Sequence, residues 1–166
     1  AGKTNVFETV AAAGGKFESK LLHVIDQKSD GTQSGSSTTG SFLTRTLNTV
    51  STNEITSASL SSNQISLPAG TYYIQAYVPH YESDICQGQW YNTTDSSVTL
   101  VGHAWYGAAS IGGHGCNWII GRFTIDDTKV FEIQQQFGSA KANNGMGVEC
   151  SYGVVENYTD VQLWQM

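Results

Sequence analysis

Residues 63–78 read NQISLPAGTYYIQAYV, and this stretch decides the fold class. Short runs of β-branched and aromatic residues stand on both sides of Pro68 and Gly70, as is typical of strands. Proline fixes φ and glycine tolerates a positive φ, so the two runs are predicted to pair as an antiparallel hairpin. Side chains alternate between the two faces of a strand, so the second run has two sets of residues. The core face is predicted to carry Tyr72, Ile74, Ala76 and Val78, and the outer face Tyr73, Gln75 and Tyr77.

Similar runs recur outward from this stretch, separated by turn residues at intervals of about 8 to 12, as expected of a sandwich or barrel. Nothing helical of useful length competes with them, so the sequence predicts an all-β, antiparallel fold. The predicted strands are LLHVID (21–26), FLTRTLNTV (42–50), NQISL (63–67), TYYIQAYV (71–78), SVTLVGHAW (97–105), NWIIGRFTI (117–125), KVFEIQQQF (129–137), MGVECSYGV (146–154) and YTDVQLWQM (158–166).

Composition limits the domain number and the partners. The 166 residues fit one domain; residues 1–20 are predicted to be a junction from an upstream segment and residues 21–166 the folded head. The formal net charge is −6, which disfavours nucleic acid and anionic membranes as partners. No apolar run approaches the roughly 18 residues that span a bilayer, so no membrane insertion is expected.

The reactive residue types form no strong catalytic or metal-binding pattern. A GxSxG elbow is missing, and Asp126-Asp127 lies between two predicted strands, where Asp is common in turns. His114 and Cys116 form a lone HxC pair, a weak zinc signal, so no catalysis, metal or cofactor is predicted. Cys86 and Cys116 are left with two interpretations, a disulfide or buried free thiols, and the second is favoured.

The outer faces of two strands indicate self-association. The strand at 158–166 repeats the pattern of the one at 71–78, with Val161 and Leu163 on one face and bulky residues on the other. Large aromatics left in water would form an exposed patch, so a subunit interface is predicted. Its predicted residues are Tyr73, Tyr77, Tyr158, Gln162 and Trp164.

Several segments, in order, resemble the C-terminal domain of phage and prophage tail-fibre proteins, and the resemblance covers residues 21–166. They include LPAGTYY (67–73), GRFTIDDTKVFEIQQQ (121–136), NNGMGV (143–148) and VVENYTDVQLWQM (154–166). The resemblance implies a jelly roll similar to C1q and tumour-necrosis-factor heads, assembled as a homotrimer on an upstream fibre shaft. Such a head, on the virion surface and thus extracellular, would bind a host cell-surface glycan or protein.

The sequence departs from that family at 80–91, 103–107 and 111–118, which are therefore interpreted as variable receptor-binding loops. Exposed aromatic faces flanked by amides and hydroxyls suit carbohydrates. The predicted receptor or glycan contacts are Tyr81, Trp90, Tyr91, His103, Trp105, Tyr106, His114 and Trp118.

Two other functions stay open beside the receptor-binding tip. One is a structural cap that holds a fibre trimer together without binding a receptor. The other is a secreted C1q-like or lectin-like module, which the sequons at Asn92 and Asn157 would suit.

Overall fold

A computed structural model of the protein describes residues 19–166, which form two antiparallel β-sheets packed face to face. The predicted junction therefore lies almost entirely outside the described residues, and it stays a prediction. Within residues 19–166 there is no helix of the length and apolar character needed to cross a bilayer.

The strands of the described part of the chain are numbered in chain order. They are β1 (Lys20–Lys28), β2 (Leu43–Thr44), β3 (Thr49–Asn53), β4 (Ser59–Ser61), β5 (Gln64–Leu67), β6 (Gly70–Tyr81), β7 (Asp84–Asn92), β8 (Ser97–Gly107), β9 (His114–Ile125), β10 (Lys129–Phe137) and β11 (Glu156–Gln165).

The two sheets interleave distant parts of the sequence. The five-stranded sheet has the order β3-β1-β11-β6-β9, and the six-stranded sheet has the order β4-β5-β10-β7-β8 with β2 pairing with β10. Neighbouring strands in both sheets run antiparallel. The predicted all-β antiparallel sandwich is thus confirmed.

The core lies between the inner faces of the two sheets, as the period of two predicts for β6. Tyr72, Ile74, Ala76 and Val78 are all 0% exposed, whereas Tyr73 and Tyr77 on the opposite face are exposed. In the six-stranded sheet, the fully buried Trp90 of β7 stacks on Phe131 of the neighbouring β10 with ring centroids 4.8 Å apart, and both rings pack against Phe123 of β9 in the other sheet. Aromatic stacking and the burial of these large side chains stabilise the packing of the sheets.

The predicted hairpin at Pro68 is wrong, because the chain changes sheets there. β5 pairs with β4 and β10 in the six-stranded sheet, whereas β6 pairs with β11 and β9 in the five-stranded sheet. Both strands bear fully buried apolar residues, such as Leu67 and Tyr72. The turn brings these two apolar faces opposite each other across the core, which buries both of them.

Three other strand predictions also need correction. No strand forms over residues 146–154, where the backbone N–H groups of Cys150 and Ser151 donate to the Glu156 carboxylate instead of to a neighbouring strand. The predicted strand at 42–50 is broken into β2 and the start of β3. β7 was missed, because its glutamines and glycine hide the alternation that buries Cys86 and Trp90.

A buried arginine connects the strands at one end of the sandwich. The Arg45 guanidinium is 0% exposed, and it donates to Thr159 Oγ1 (3.0 Å) and Gln135 Oε1 (2.9 Å). It also donates to Ser34 Oγ (3.3 Å) and to the carbonyl oxygens of Pro79 (3.2 Å) and Met146 (2.7 Å). Burial lowers the pKa of Arg45 to about 10, an effect opposed by the negative charge of Asp26. Arg45 is therefore still charged at neutral pH.

Replacing Trp90 tests the core. Trp90→Ala removes a fully buried ring, so we expect the free energy of unfolding to fall by about 3–5 kcal/mol. Trp105→Ala is the control, because Trp105 is 48% exposed and its loss should cost less than about 1 kcal/mol. Urea unfolding followed by circular dichroism measures both; similar costs for the two variants would contradict the placement of Trp90.

Replacing Arg45 tests the buried hydrogen-bond network. Arg45→Met leaves five buried acceptors without their donor, and we expect a loss of roughly 3–5 kcal/mol of unfolding free energy. Lys20→Met changes an exposed cation at the start of β1 and should leave stability almost unchanged. A midpoint in thermal unfolding that is equally unaffected in both variants would show that the network contributes little.

Candidate functional site

An open cavity of about 670 Å³ lies at one end of the six-stranded sheet, on its outer face. This volume is within the range of ligand-binding clefts. Strands β7, β8 and β10 provide most of its walls, and the segment before β2 provides one aromatic side chain. The lining residues are Phe42, Ile85, Cys86, Gln87, Ala104, Trp105, Tyr106, Gln136, Phe137 and Gly138.

The strand register explains why amides and apolar groups meet in the cavity. Gln87 of β7 pairs with Gln136 of β10 on one side and with Ala104 of β8 on the other. Two residues along, Ile85 pairs with Tyr106, so this pair points to the same face. The Gln87 amide nitrogen donates to the carbonyl oxygen of Gly102 at 3.1 Å.

Beneath the cavity, on the inner side of the same strands, the packing is apolar and close. Cys86 (4% exposed) and Phe137 (2% exposed) form a small core cluster with Met146, against which Leu43 packs. Burial raises the pKa of the Cys86 thiol to about 11, so the thiol is protonated at neutral pH. Cys86, Cys116 and Cys150 are all free thiols. Cys86 and Cys116 therefore do not form the disulfide that the sequence left open.

Two of the predicted receptor residues, Trp105 and Tyr106, line the cavity from neighbouring positions of β8. Tyr106 pairs with Ile85 and points to the outer face, whereas Trp105 pairs with Cys86, so its side chain points to the other face, toward β9. Trp105 is 48% exposed and Tyr106 is 64% exposed, beside Ile85 at 67%. The Trp105 indole lies so close to Gly115 of β9 that any side chain at Gly115 would collide with it. The glycine therefore fixes where the indole ring can lie.

The other predicted receptor residues are not gathered at this cavity. Trp90 is wrong as a receptor contact, because its ring is fully buried in the core. Tyr91 is half-buried on β7, and His103 is exposed on β8. Tyr81 ends β6 under the Lys141 ammonium, and the exposed His114 begins β9. All eight residues belong to strands, so the interpretation of their segments as loops is also corrected.

Trp118 lies with the predicted interface residues, on the outer face of the five-stranded sheet. It meets Tyr77 at a centroid distance of 5.4 Å, and Tyr73 meets Trp164 at 6.0 Å. Gln162 lies half-buried on the same face. Tyr77 and Gln162 line a second cavity of about 300 Å³ together with Gln75, Trp118, Asn157, Tyr158 and Asp160.

Tyr158 needs correction as an interface residue. Only 5% of it is exposed, since its ring packs against Gly147 and its hydroxyl donates to the carbonyl oxygen of Thr32 at 2.6 Å. It stabilises its own subunit rather than offering a surface to another. The alternation predicted for β11 holds from Asp160 to Trp164 and fails at Tyr158 and Thr159, which are both buried.

The cavity also contains residues that were not predicted. Phe42, Ile85, Gln87 and Gln136 line it, and the alternation of β7 is a signal that could have found two of them, Ile85 and Gln87. Had residues 84–92 been assigned as a strand, Ile85 and Gln87 would have been placed on its outer face.

His80 is a buried titratable group near the cavity. Its side chain is within hydrogen-bonding distance of Ser83 Oγ through Nδ1 (3.0 Å), and Nε2 has no partner. Burial lowers the pKa of His80 to about 4, helped by the positive charge of Arg45 and by His114.

Among residues 19–166, no three histidine, cysteine or carboxylate side chains are grouped to hold a metal ion.

The pH dependence of stability tests His80. Its folded pKa of about 4 lies below the ordinary value of 6.5, so the unfolded chain binds the extra proton between these pH values. Neutral His80 therefore contributes on the order of 3 kcal/mol to the free energy of unfolding above pH 6.5, and this contribution is lost as the pH falls to 4. We expect His80→Gln to lose less stability than the parent over this range. The exposed His103→Gln should behave like the parent; identical curves for all three would exclude His80 as the cause.

Comparison with known proteins shows which solved structures have a similar fold. No family model and no curated protein sequence matches the chain. The solved structure of murine APRIL at pH 5.0 is similar with a TM-score of 0.57 and 7% identity, over 90% of this chain and 100% of that one. The globular domain of zebrafish complement 1qA protein is similar with a TM-score of 0.56 and 11% identity, over 90% of this chain and 98% of that one. The chain therefore has a jelly-roll fold of the C1q and tumour-necrosis-factor type.

Proposed function

We propose that this protein is a non-catalytic, trimeric binding head that recognises a glycan outside the cell through the cavity beside Tyr106. The observation that carries this proposal is the cluster of exposed side chains at the cavity, with Phe42, Ile85 and Tyr106 between 37% and 67% exposed. Aromatic groups at the rim of a concave site favour ligand binding, because they offer large rigid surfaces at low entropic cost.

The trimer is supported by the other outer face of the sandwich. Tyr73, Tyr77 and Ile120 are 37%, 37% and 42% exposed on the five-stranded sheet, beside Trp118 and Trp164. Such a group of aromatic and aliphatic side chains is typical of the centre of a subunit interface. The ligand cavity lies on the opposite sheet, so association through this face leaves the cavity open.

The proposal of binding without catalysis rests on the chemistry of the cavity. Cys86 and Tyr106 are the titratable residues that line it. Because burial raises the pKa of Cys86 to about 11, its thiol is a poor nucleophile at neutral pH. A binding role needs no cofactor.

Our second, more specific proposal is that this binding head forms the tip of a phage tail fibre. It is favoured by the order of segments over residues 21–166 that resembles tail-fibre C-terminal domains. In that setting the head would lie on the virion surface, joined to a fibre shaft, and three copies would raise the avidity for a host-surface glycan or protein. For a secreted C1q-like module the two sequons differ: Asn157 is exposed, whereas Asn92 is buried and bonded to Asp95.

The oligomeric state is the first test. Light scattering coupled to size exclusion should give a mass near three times 17.9 kDa. Tyr77→Glu would place a charge in the proposed interface and should reduce the mass toward one subunit. Tyr152→Glu is the matched control, because Tyr152 is 84% exposed on a segment outside the five-stranded sheet. A monomeric parent protein would contradict the trimer.

Binding is then measured with the same trimer on an array of immobilised glycans. We expect Tyr106→Ala to abolish the signal and Tyr152→Ala to leave it unchanged. A trimer that binds no glycan would instead support the structural cap.

A further inference from the structure

The outward-facing residues of the cavity form a polar strip between apolar side chains. Gln87 pairs with Gln136 across β7 and β10, so both carboxamides point to the outer face of the six-stranded sheet. Tyr106 points to the same face from β8, which lies next to β7. Phe42 lines the cavity from the other side, because it precedes β2, which pairs with β10. The carboxamide strip, Gln87 and Gln136, therefore lies between two aromatic residues.

Phe42 and Tyr106 flank the carboxamide strip at a spacing that suits a sugar ring. Thr44 of β2 pairs with the outward-facing Gln134, so the alternation of side chains puts Phe42 on the outer face too. The strand order β2-β10-β7-β8 separates the two aromatic residues by three strand spacings, or about 14 Å between their backbones. This gap admits a sugar ring standing on edge, with one face toward each aromatic side chain.

Ile85 closes the carboxamide strip at the end of the sandwich. A Cβ on Gly138 would lie 2.7 Å from Ile85 Cγ1, so the isoleucine side chain covers the glycine that follows β10. Ile85 is 67% exposed and pairs with Tyr106, which is 64% exposed. These two residues form one apolar wall of the cavity, and Phe42 forms the opposite wall.

The two carboxamides have hydrogen-bonding capacity left for a ligand. Gln87 Nε2 donates to the carbonyl oxygen of Gly102 at 3.1 Å, which leaves the amide oxygen of Gln87 to accept. Among residues 19–166, no hydrogen bond engages the side chain of Gln136, so its oxygen can accept and its nitrogen can donate. Hydroxyls both donate and accept, so neighbouring hydroxyls of one sugar match the carboxamide strip.

The charges around the cavity exclude ionic partners for a ligand. None of the described residues that line it carries a carboxylate, ammonium, guanidinium or imidazole group. The chain as a whole has a formal net charge of −6, so an anionic sugar is repelled and meets no cation in the cavity. A neutral sugar therefore fits this site best.

We propose that the cavity selects a neutral hexose whose ring hydroxyls are all equatorial, as in the β-gluco configuration. Equatorial hydroxyls lie at the edge of the ring, where they reach Gln87 and Gln136. Both ring faces then carry C–H groups, which pack against Phe42 on one side and against Ile85 and Tyr106 on the other. An axial hydroxyl would point at an apolar wall and lose its partner in water. This assignment rests on the proposed glycan-binding function, to which it adds the class of sugar.

The test compares three methyl β-glycosides by ligand-observed NMR titration of the full chain. They are the glucoside, the galactoside, whose O4 is axial, and the glucuronide, which carries a carboxylate. We expect the glucoside to bind about tenfold more tightly than the galactoside, because the axial hydroxyl loses its hydrogen bonds to water. The glucuronide should bind at least about fivefold more weakly than the glucoside at low ionic strength.

Two variants test the carboxamide strip and one apolar wall separately. Gln136→Ala removes one carboxamide and should weaken glucoside binding about fivefold. Phe42→Ala opens one side of the cavity, so the galactoside can turn its axial hydroxyl toward water there. The preference for the glucoside should then fall from about tenfold toward equal affinity. Tyr152→Ala is the control and should keep all affinities, since Tyr152 is 84% exposed on a segment outside both sheets.

The outcomes separate this inference from the proposed function. Equal affinity for glucoside and galactoside, tighter binding of the glucuronide, or an unchanged glucoside affinity in Gln136→Ala would overturn the sugar class. An unchanged preference in Phe42→Ala that is folded by circular dichroism would overturn it too. If array binding depends on Tyr106 but the glucoside is not preferred, the glycan-binding function stands and this inference fails. If array binding does not depend on Tyr106, both fail.

Discussion

The buried charge of Arg45 constrains the end of the sandwich where the cavity lies. A guanidinium removed from water is costly unless its donors are satisfied, and here the acceptors come from separate segments that include β6, β10 and β11. The network therefore forms only when these segments have reached their native places together. Met146 connects it to the cavity, because its carbonyl oxygen accepts from Arg45 while its side chain packs with Cys86 and Phe137.

The sequence predicts those strands whose side chains alternate clearly. β6 shows this best, since Tyr72, Ile74, Ala76 and Val78 are buried as the period of two requires. The alternation fails to predict which strands pair, because pairing depends on contacts between residues far apart in sequence. Residues 63–67 and 71–78 have the local pattern of a hairpin, yet the burial of both apolar faces places them in opposite sheets.

The candidate site could be predicted only in part, for the same physical reason. Trp105 and Tyr106 were predicted because they are aromatic residues in the segment 103–107, which departs from the tail-fibre family. Ile85 and Gln136 were missed, since only the register between β7, β8 and β10 brings them to one place. Trp90 was misplaced because its neighbours Gln89 and Tyr91 made its segment resemble a surface loop, although its own position points into the core.

The pairing of β1 with β11 has a consequence for synthesis in the cell. β11 lies between β1 and β6 in the five-stranded sheet, so that sheet cannot be completed until residues 156–165 have left the ribosome. Folding that depends on such distant contacts is slow, and unpaired strand edges stay accessible meanwhile. The nascent chain must therefore wait with one edge of β1 and one edge of β6 unpaired, and neighbouring nascent chains on one messenger RNA could exchange strands during that interval.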